Sequence, residues 1–124
     1  MTDRGTASVV IVAWVAILVV VAGGFAGVGR LVAAQVQATA AADAAALAAA
    51  PLTFLEGDPV AEAAKFASGN GTRLEACQCP SNLGWVSRVV TVEVANDVVV
   101  PLLGQLTVRA RAAAEFDPMD LLGG

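Results

Sequence analysis

From residue 5 to residue 29 the chain carries no charged side chain. A helix of about 25 residues rises roughly 37 Å, longer than the ~30 Å hydrocarbon core of a bilayer. A secretory signal peptide has an apolar core of only about 7–15 residues. The run is therefore expected to be kept as an anchor rather than discarded. The rival reading, a buried helix of a soluble protein, needs a large surrounding core. A chain of 124 residues cannot supply one. The flanks say little about orientation, because Arg4 precedes the run and Arg30 follows it. Nothing before the run is long enough to fold, and all domain-like sequence lies after it. The economical arrangement is a cytoplasmic leader (residues 1–5), a single-pass helix in the cell membrane (6–29) and an extracytoplasmic remainder.

Within the run, Gly23 and Gly27 stand four apart, the spacing that lets two helix backbones approach closely in lipid. Glycine is also simply common in membrane helices, so the motif is a candidate packing site only. Trp14 lies well inside the run and is expected against lipid or a neighbouring helix. From 30 to 50 the sequence is dominated by alanine, a strong helix former, and Pro51 ends it. Leu31, Gln35, Thr39, Asp43 and Leu47 recur every fourth residue. One helix running from the membrane into a smooth, small-sided stalk is expected, packing on other helices or on its own head, with Asp43 solvated.

Beyond Pro51 the pattern changes. Asp58 is a suitable N-cap, Pro59 suits the first helical position, and Gly69, Asn70 and Gly71 end a short helix. Its expected apolar stripe is Val60, Ala63, Ala64 and Ala67, with Phe66 at the edge. A period of two follows in three segments. Leu74 and Ala76 alternate with Arg73, Glu75 and Cys77. Val90, Val92 and Val94 alternate with Val89, Thr91 and Glu93. Leu106, Val108, Ala110 and Ala112 alternate with Gln105, Thr107, Arg109 and Arg111. Turns are expected at residues 80–82 and at Asn96 and Asp97, with 98–103 as an apolar connection. Arg109 and Arg111 are expected on the solvated face near Glu93. The fold class is α+β: a long transmembrane and stalk helix, a short helix, and a small three-stranded antiparallel sheet in a domain of residues 51–115. Residues 116–124 read as a loose acidic tail.

Cys77 and Cys79 are two apart. In a regular strand such residues have Cα atoms nearly 7 Å apart, at the limit of disulfide reach. A local bridge requires the strand to turn, which Pro80 permits. Free thiols and intermolecular bridging stay open. A zinc site lacks ligands, since the chain has two cysteines and no histidine. No nucleophile–base pair, phosphate loop or metal cluster is visible, so neither catalysis nor a cofactor is expected. The net charge of −4 gives no basic cluster for direct contact with nucleic acid.

"RGTASVVIVAWVAILVVVAGG" followed by "QATAAADAAALAAA" resembles the N-terminal half of TadE/TadG-type pilus-assembly proteins. "ASGNGTRLEAC", "VVTVEV" and "LTVRARA" resemble the remainder of short actinobacterial TadE-like proteins encoded beside secretion genes. The resemblance implies a pilin-like fold and a pseudopilin-like component of a Tad (Flp, type IVc) pilus or secretion apparatus. Its partners would be the membrane, other pilin-like subunits and Tad assembly proteins. A prepilin peptidase would cleave on the cytoplasmic side after a glycine, here between Gly5 and Thr6. Such pilins carry Glu five residues into the mature chain, where it can neutralise a neighbour's new amine. This chain has Val10 there, so a minor, initiating or accessory role is expected rather than regular polymerisation. The alternative is a generic single-pass anchored or secreted binding module. A mature N-terminus near residues 40–50 would mark secretion.

Overall fold

The computed structural model describes residues 3–123. Met1 and Thr2, part of the expected leader, lie outside the described residues, as does Gly124. The helix α1 (Asp3–Ala49) is continuous over 47 residues, about 70 Å at 1.5 Å per residue. Its two halves differ in what they touch. The first half is exposed all round. The second half is docked: Ala34, Ala38, Ala41, Ala42, Ala45, Ala46 and Ala49 are buried at spacings of three and four. That spacing places them on one face of the helix. Of the two expected packings for the stalk, the helix takes its own head. Asp43 and Leu47 lie on the exposed side.

The surface under this face is a three-stranded antiparallel sheet, β1 (Arg73–Gln78), β2 (Arg88–Val100) and β3 (Gly104–Phe116), in the order β1-β2-β3. Val90, Val92 and Val94 of the central strand are fully buried against the helix, flanked by Ala110, Ala112 and Ala114. Each fully buried valine contributes about 1.5–3 kcal/mol. The alanines bury less area, but their small size lets the helix backbone come close to the sheet. A short helix, α2 (Pro59–Gly69), packs beside α1 and against β1. The Asp58 side chain accepts hydrogen bonds from the backbone N–H of Val60 (3.1 Å) and Ala61 (3.2 Å), capping it. The buried stripe of α2 is narrower than expected. Pro59, Ala63 and Ala67 are buried, while Val60 and Ala64 face outward. The stripe follows i, i+4, i+8 because only that row meets the alanine face of α1.

The end of α2 is fitted to α1 by a glycine. Gly71 has φ +76°, and a Cβ there would lie 2.5 Å from Gln37 Nε2. That amide instead donates to the carbonyl of Asn70 at 3.0 Å. A side chain there would meet backbone strain and would push the Gln37 amide off this hydrogen bond.

Three sequence expectations are corrected. First, Asn96 and Asp97 do not turn the chain. β2 runs through them to Val100, paired residue by residue with β3 until Val100 meets Gly104. Asp97 is held in the ladder by cross-strand side chains, with Thr107 Oγ1 donating to it at 2.8 Å and Arg73 at 2.6 Å. The turn falls instead at residues 101–103. Second, β1 carries a bulge at Glu75, since Leu74 pairs with Val94 and Ala76 with Glu93. The extra residue reverses the alternation, so Leu74 and Cys77, not Leu74 and Ala76, pack on the core. Third, the loose tail is folded at its start. The Asp117 side chain accepts from Met119 N–H at 2.9 Å, capping a 3-10 turn (Pro118–Leu121) in which Pro118 is fully buried.

Arg88, which gave no signal in the sequence, ties the distal end together. It is 8% exposed. Its guanidinium donates to the carbonyls of Thr53 (3.1 Å) and Val86 (3.0 Å), and also to those of Asn82 and Gly84. It lies 5.7 Å from the centre of the Phe54 ring. Four carbonyls from two loops are satisfied by one side chain, with Trp85 packed edge-on to Phe54 at 4.9 Å. The Thr53 carbonyl also accepts from the Asn82 N–H at 2.9 Å, but Arg88→Met removes the side-chain donor from the Asn82, Gly84 and Val86 carbonyls and is expected to cost about 2–4 kcal/mol in guanidinium unfolding in mild detergent. Arg111→Ala, which removes only the exposed pair with Glu93, is expected to cost less than about 1 kcal/mol. Equal losses in the two variants would contradict this account of the distal loops.

Candidate functional site: the uncovered helix and the hairpin beside it

The part of the molecule that its own fold leaves unexplained is the first half of α1. Val9, Ile11, Trp14, Leu18, Val20 and Phe25 are all more than half exposed. The most apolar window of the helix has a mean hydropathy of 2.8 and no buried residue. It is long and apolar enough to cross a membrane. In water it would be a large apolar surface with nothing over it.

Gly5 and Thr6 lie in the opening turns of α1. A Cβ at Gly5 would meet nothing within 4 Å, and the same is true at Gly23, Gly24 and Gly29. Glycine within a helix is about 1 kcal/mol less favourable than alanine, and the chain's own packing requires it at none of these four positions. Gly27 is different. It is buried, and a Cβ there would lie 3.4 Å from Val100 Cγ1. The two glycines singled out by their spacing thus have separate surroundings: Gly27 is covered by this chain's own hairpin, and Gly23 is open.

The β2–β3 hairpin reaches Gly27 because it runs down the side of α1. Gln35 Nε2 donates to the carbonyl of Arg109 at 3.3 Å, and Arg30 Nη1 to that of Val99 at 3.4 Å. Beside these contacts an apolar groove is lined by α1, Val20, Gly23 and Gly24 among its residues, and by the hairpin tip, residues 100–103.

Cys77 and Cys79 are joined by a disulfide with Cα atoms 5.4 Å apart. Cys77 belongs to β1, but the strand ends at Gln78, and the chain bends before Pro80. That bend brings the Cα atoms well inside the spacing of a regular strand. Both cysteines pack against the core.

The outer face of the sheet is polar. Glu93 and Arg111 are directly paired across the strands, and Arg111 Nη2 lies 3.0 Å from Glu93 Oε2. Arg109 lies two residues away on the same exposed face. Arg73 bridges Asp97 at 2.6 Å and Glu75 at 2.8 Å. The Arg73 guanidinium, and then the Thr107 hydroxyl, hold the Asp97 carboxyl below its ordinary 3.8. Arg73 is raised in turn, first by Asp97 and then by Glu75. Among the described residues no three His, Cys, Asp or Glu side chains gather as a metal site.

Residues 5–51 match the family model described as putative Flp pilus-assembly TadE/G-like. The match covers 47 of the 124 residues and makes the helix similar to that family. No curated protein and no solved structure matches the chain significantly. The TadE/G-like match ends at Pro51, where α1 stops. It therefore covers both the uncovered apolar half and the alanine face, but not the sheet on which that face is docked.

Two outcomes follow. Gly27→Leu forces Val100 aside and is expected to cost about 1–3 kcal/mol. Gly23→Leu enters open space and is expected to leave the unfolding midpoint in detergent within about 0.5 kcal/mol. Equal effects at the two positions would contradict the hairpin contact. For Asp97, a depressed folded pKa means that its contribution to stability is present above the ordinary carboxyl range. That contribution is lost as pH falls through the depressed value. An NMR titration of the Asp97 carboxyl should give a midpoint below about 3.9, and Arg73→Ala should move it upward. A wild-type midpoint at or above that value would exclude the pairing in solution.

Proposed function

We propose that this chain is a membrane-anchored accessory subunit, a minor pseudopilin, of a Tad (Flp, type IVc) pilus or secretion apparatus. It acts by helix packing rather than by catalysis. Residues 6–29 cross the cell membrane once, residues 1–5 form a cytoplasmic leader, and the domain of residues 51–115 stands outside. The observation that carries this reading is the coincidence of the family match with a helix whose most apolar window has no buried residue. Prepilin peptidase cleaves between Gly5 and Thr6. In support, a Cβ at Gly5 would meet nothing within 4 Å among the described residues, so the glycine is accessible to another protein. Gly23 and Gly24, also open, offer a close approach to helices of other pilin-like subunits. The disulfide between Cys77 and Cys79 fits an oxidising, extracytoplasmic location for the head.

The secreted alternative, with a mature N-terminus near residues 40–50, is disfavoured by packing. Ala38, Ala41, Ala42 and Ala45 are fully buried, and cleavage there would remove one wall of the core.

The test is the mature N-terminus. Co-expression with an active prepilin peptidase should yield membrane-bound protein lacking residues 1–5, read by intact mass and N-terminal sequencing. Gly5→Leu, which the open space tolerates, should block the change. An unaltered mass with active peptidase would overturn the processing step. Release of the full-length chain by carbonate extraction would overturn the anchor.

A further inference from the structure

The tip of the β2–β3 hairpin lies at the depth of the membrane-crossing run. Arg30 meets Val99, Gly27 meets Val100, and residues 101–103 line one groove with Val20, Gly23 and Gly24. Residues 20–24 lie about 9–15 Å below Arg30 along the helix axis at 1.5 Å per residue. A 30 Å hydrocarbon slab takes up about 20 helical residues of the run 5–29. Slid to its lowest position, such a slab still takes in the helix up to about residue 24, and at its highest it reaches residue 29. With Val100 beside Gly27, the tip beyond it lies inside the slab at its highest placement and reaches the upper edge at its lowest.

The side chains agree with that depth. Residues 98–108 contain no charge, and the first charged residues on either side are Asp97 and Arg109. Asp97 with its partner Arg73, Arg109 and Arg30 thus mark a charged level, and everything below it on the hairpin is uncharged. Val99, Leu102 and Leu103 are exposed, Leu102 completely so. Leu102 also has φ +73°, in the left-handed region. Glycine or asparagine takes that conformation at less strain. A strained turn that presents a leucine to water is doubly unfavourable, whereas one that presents it to acyl chains gains from the leucine.

We infer that the hairpin tip, residues 99–103, is a second membrane contact: a wedge inserted among the acyl chains of the outer leaflet beside the anchor helix. It rests on the reading of α1 as a membrane anchor. The occupant is lipid. Arg30, at the upper edge, keeps its guanidinium near the headgroups while donating to the Val99 carbonyl, which would otherwise enter the apolar layer without a donor.

The experiment uses the full-length chain in phosphatidylcholine–phosphatidylglycerol vesicles. A polarity-sensitive fluorophore is placed on a single new thiol, Cys77 and Cys79 being paired. Label sites are Leu102→Cys, Leu103→Cys, Val15→Cys in the helix and Leu83→Cys on an exposed distal loop. At positions 102 and 103 iodide quenching should fall about threefold relative to position 83, and lipids carrying a nitroxide should quench the label. These values should not change when protein is diluted about tenfold in lipid, as mass action requires of a contact that needs no second copy. Quenching at 15 but aqueous accessibility at both 102 and 103 overturns the wedge and leaves the anchor. Aqueous accessibility at 15 overturns the anchor. Shielding at 102 without lipid quenching, or lost on dilution, assigns the tip to another protein chain and overturns the lipid contact.

Discussion

The whole molecule depends on one contact, the alanine face of α1 against the valines of β2. A single helix supplies both the apolar run and one wall of the core. Neither the sheet nor α2 has another partner large enough to cover its inner face. Alanine makes this contact work by being small. Bulkier residues at Ala38, Ala42 or Ala45 would bury more area but would lift the helix from the sheet, opening gaps along α2 and β3. The composition that makes the segment look like low-complexity helix is thus a packing surface.

The second constraint is how a small head closes its ends. At the end nearer the apolar run, the hairpin leans on Gly27 and accepts the Arg30 hydrogen bond. At the other end no such helix is available, and the chain relies on Arg88, whose guanidinium gathers carbonyls from the turn after α1 and from the loop before β2. Phe54, Trp85 and Phe116 pack around the same point. The disulfide adds a short local brace where β1 gives way to that loop.

Much of this was legible in the sequence. The uncharged run, the stop at Pro51, the Asp58 cap and the three alternating segments each rest on local chemistry that one strand or helix reveals by itself. What was not legible depended on partners distant in the chain. Asp97 looked like a turn residue until Arg73 and Thr107 were placed beside it. The parity of Cys77 depended on a bulge that pairing with β2 creates. Arg88 had the ordinary appearance of a charge at a strand end. Gly27 carried the right spacing for a helix seam, but its neighbour proved to be Val100 of the same chain. The TadE/G-like match has the same limit, since it ends with the helix and is silent about the sheet.

The unbroken run of α1 has a mechanical consequence. No proline or loop separates the apolar half from the docked half, and the junction is braced where Val100 meets Gly27 and Arg30 meets Val99. The head therefore has no hinge of its own. A rotation or tilt imposed on the apolar end of the rod is passed on to the polar outer face of the sheet, apart from bending at Gly23 and Gly24. In an assembly, neighbours that grip the helix would thereby also set the direction in which Glu93, Arg109 and Arg111 point.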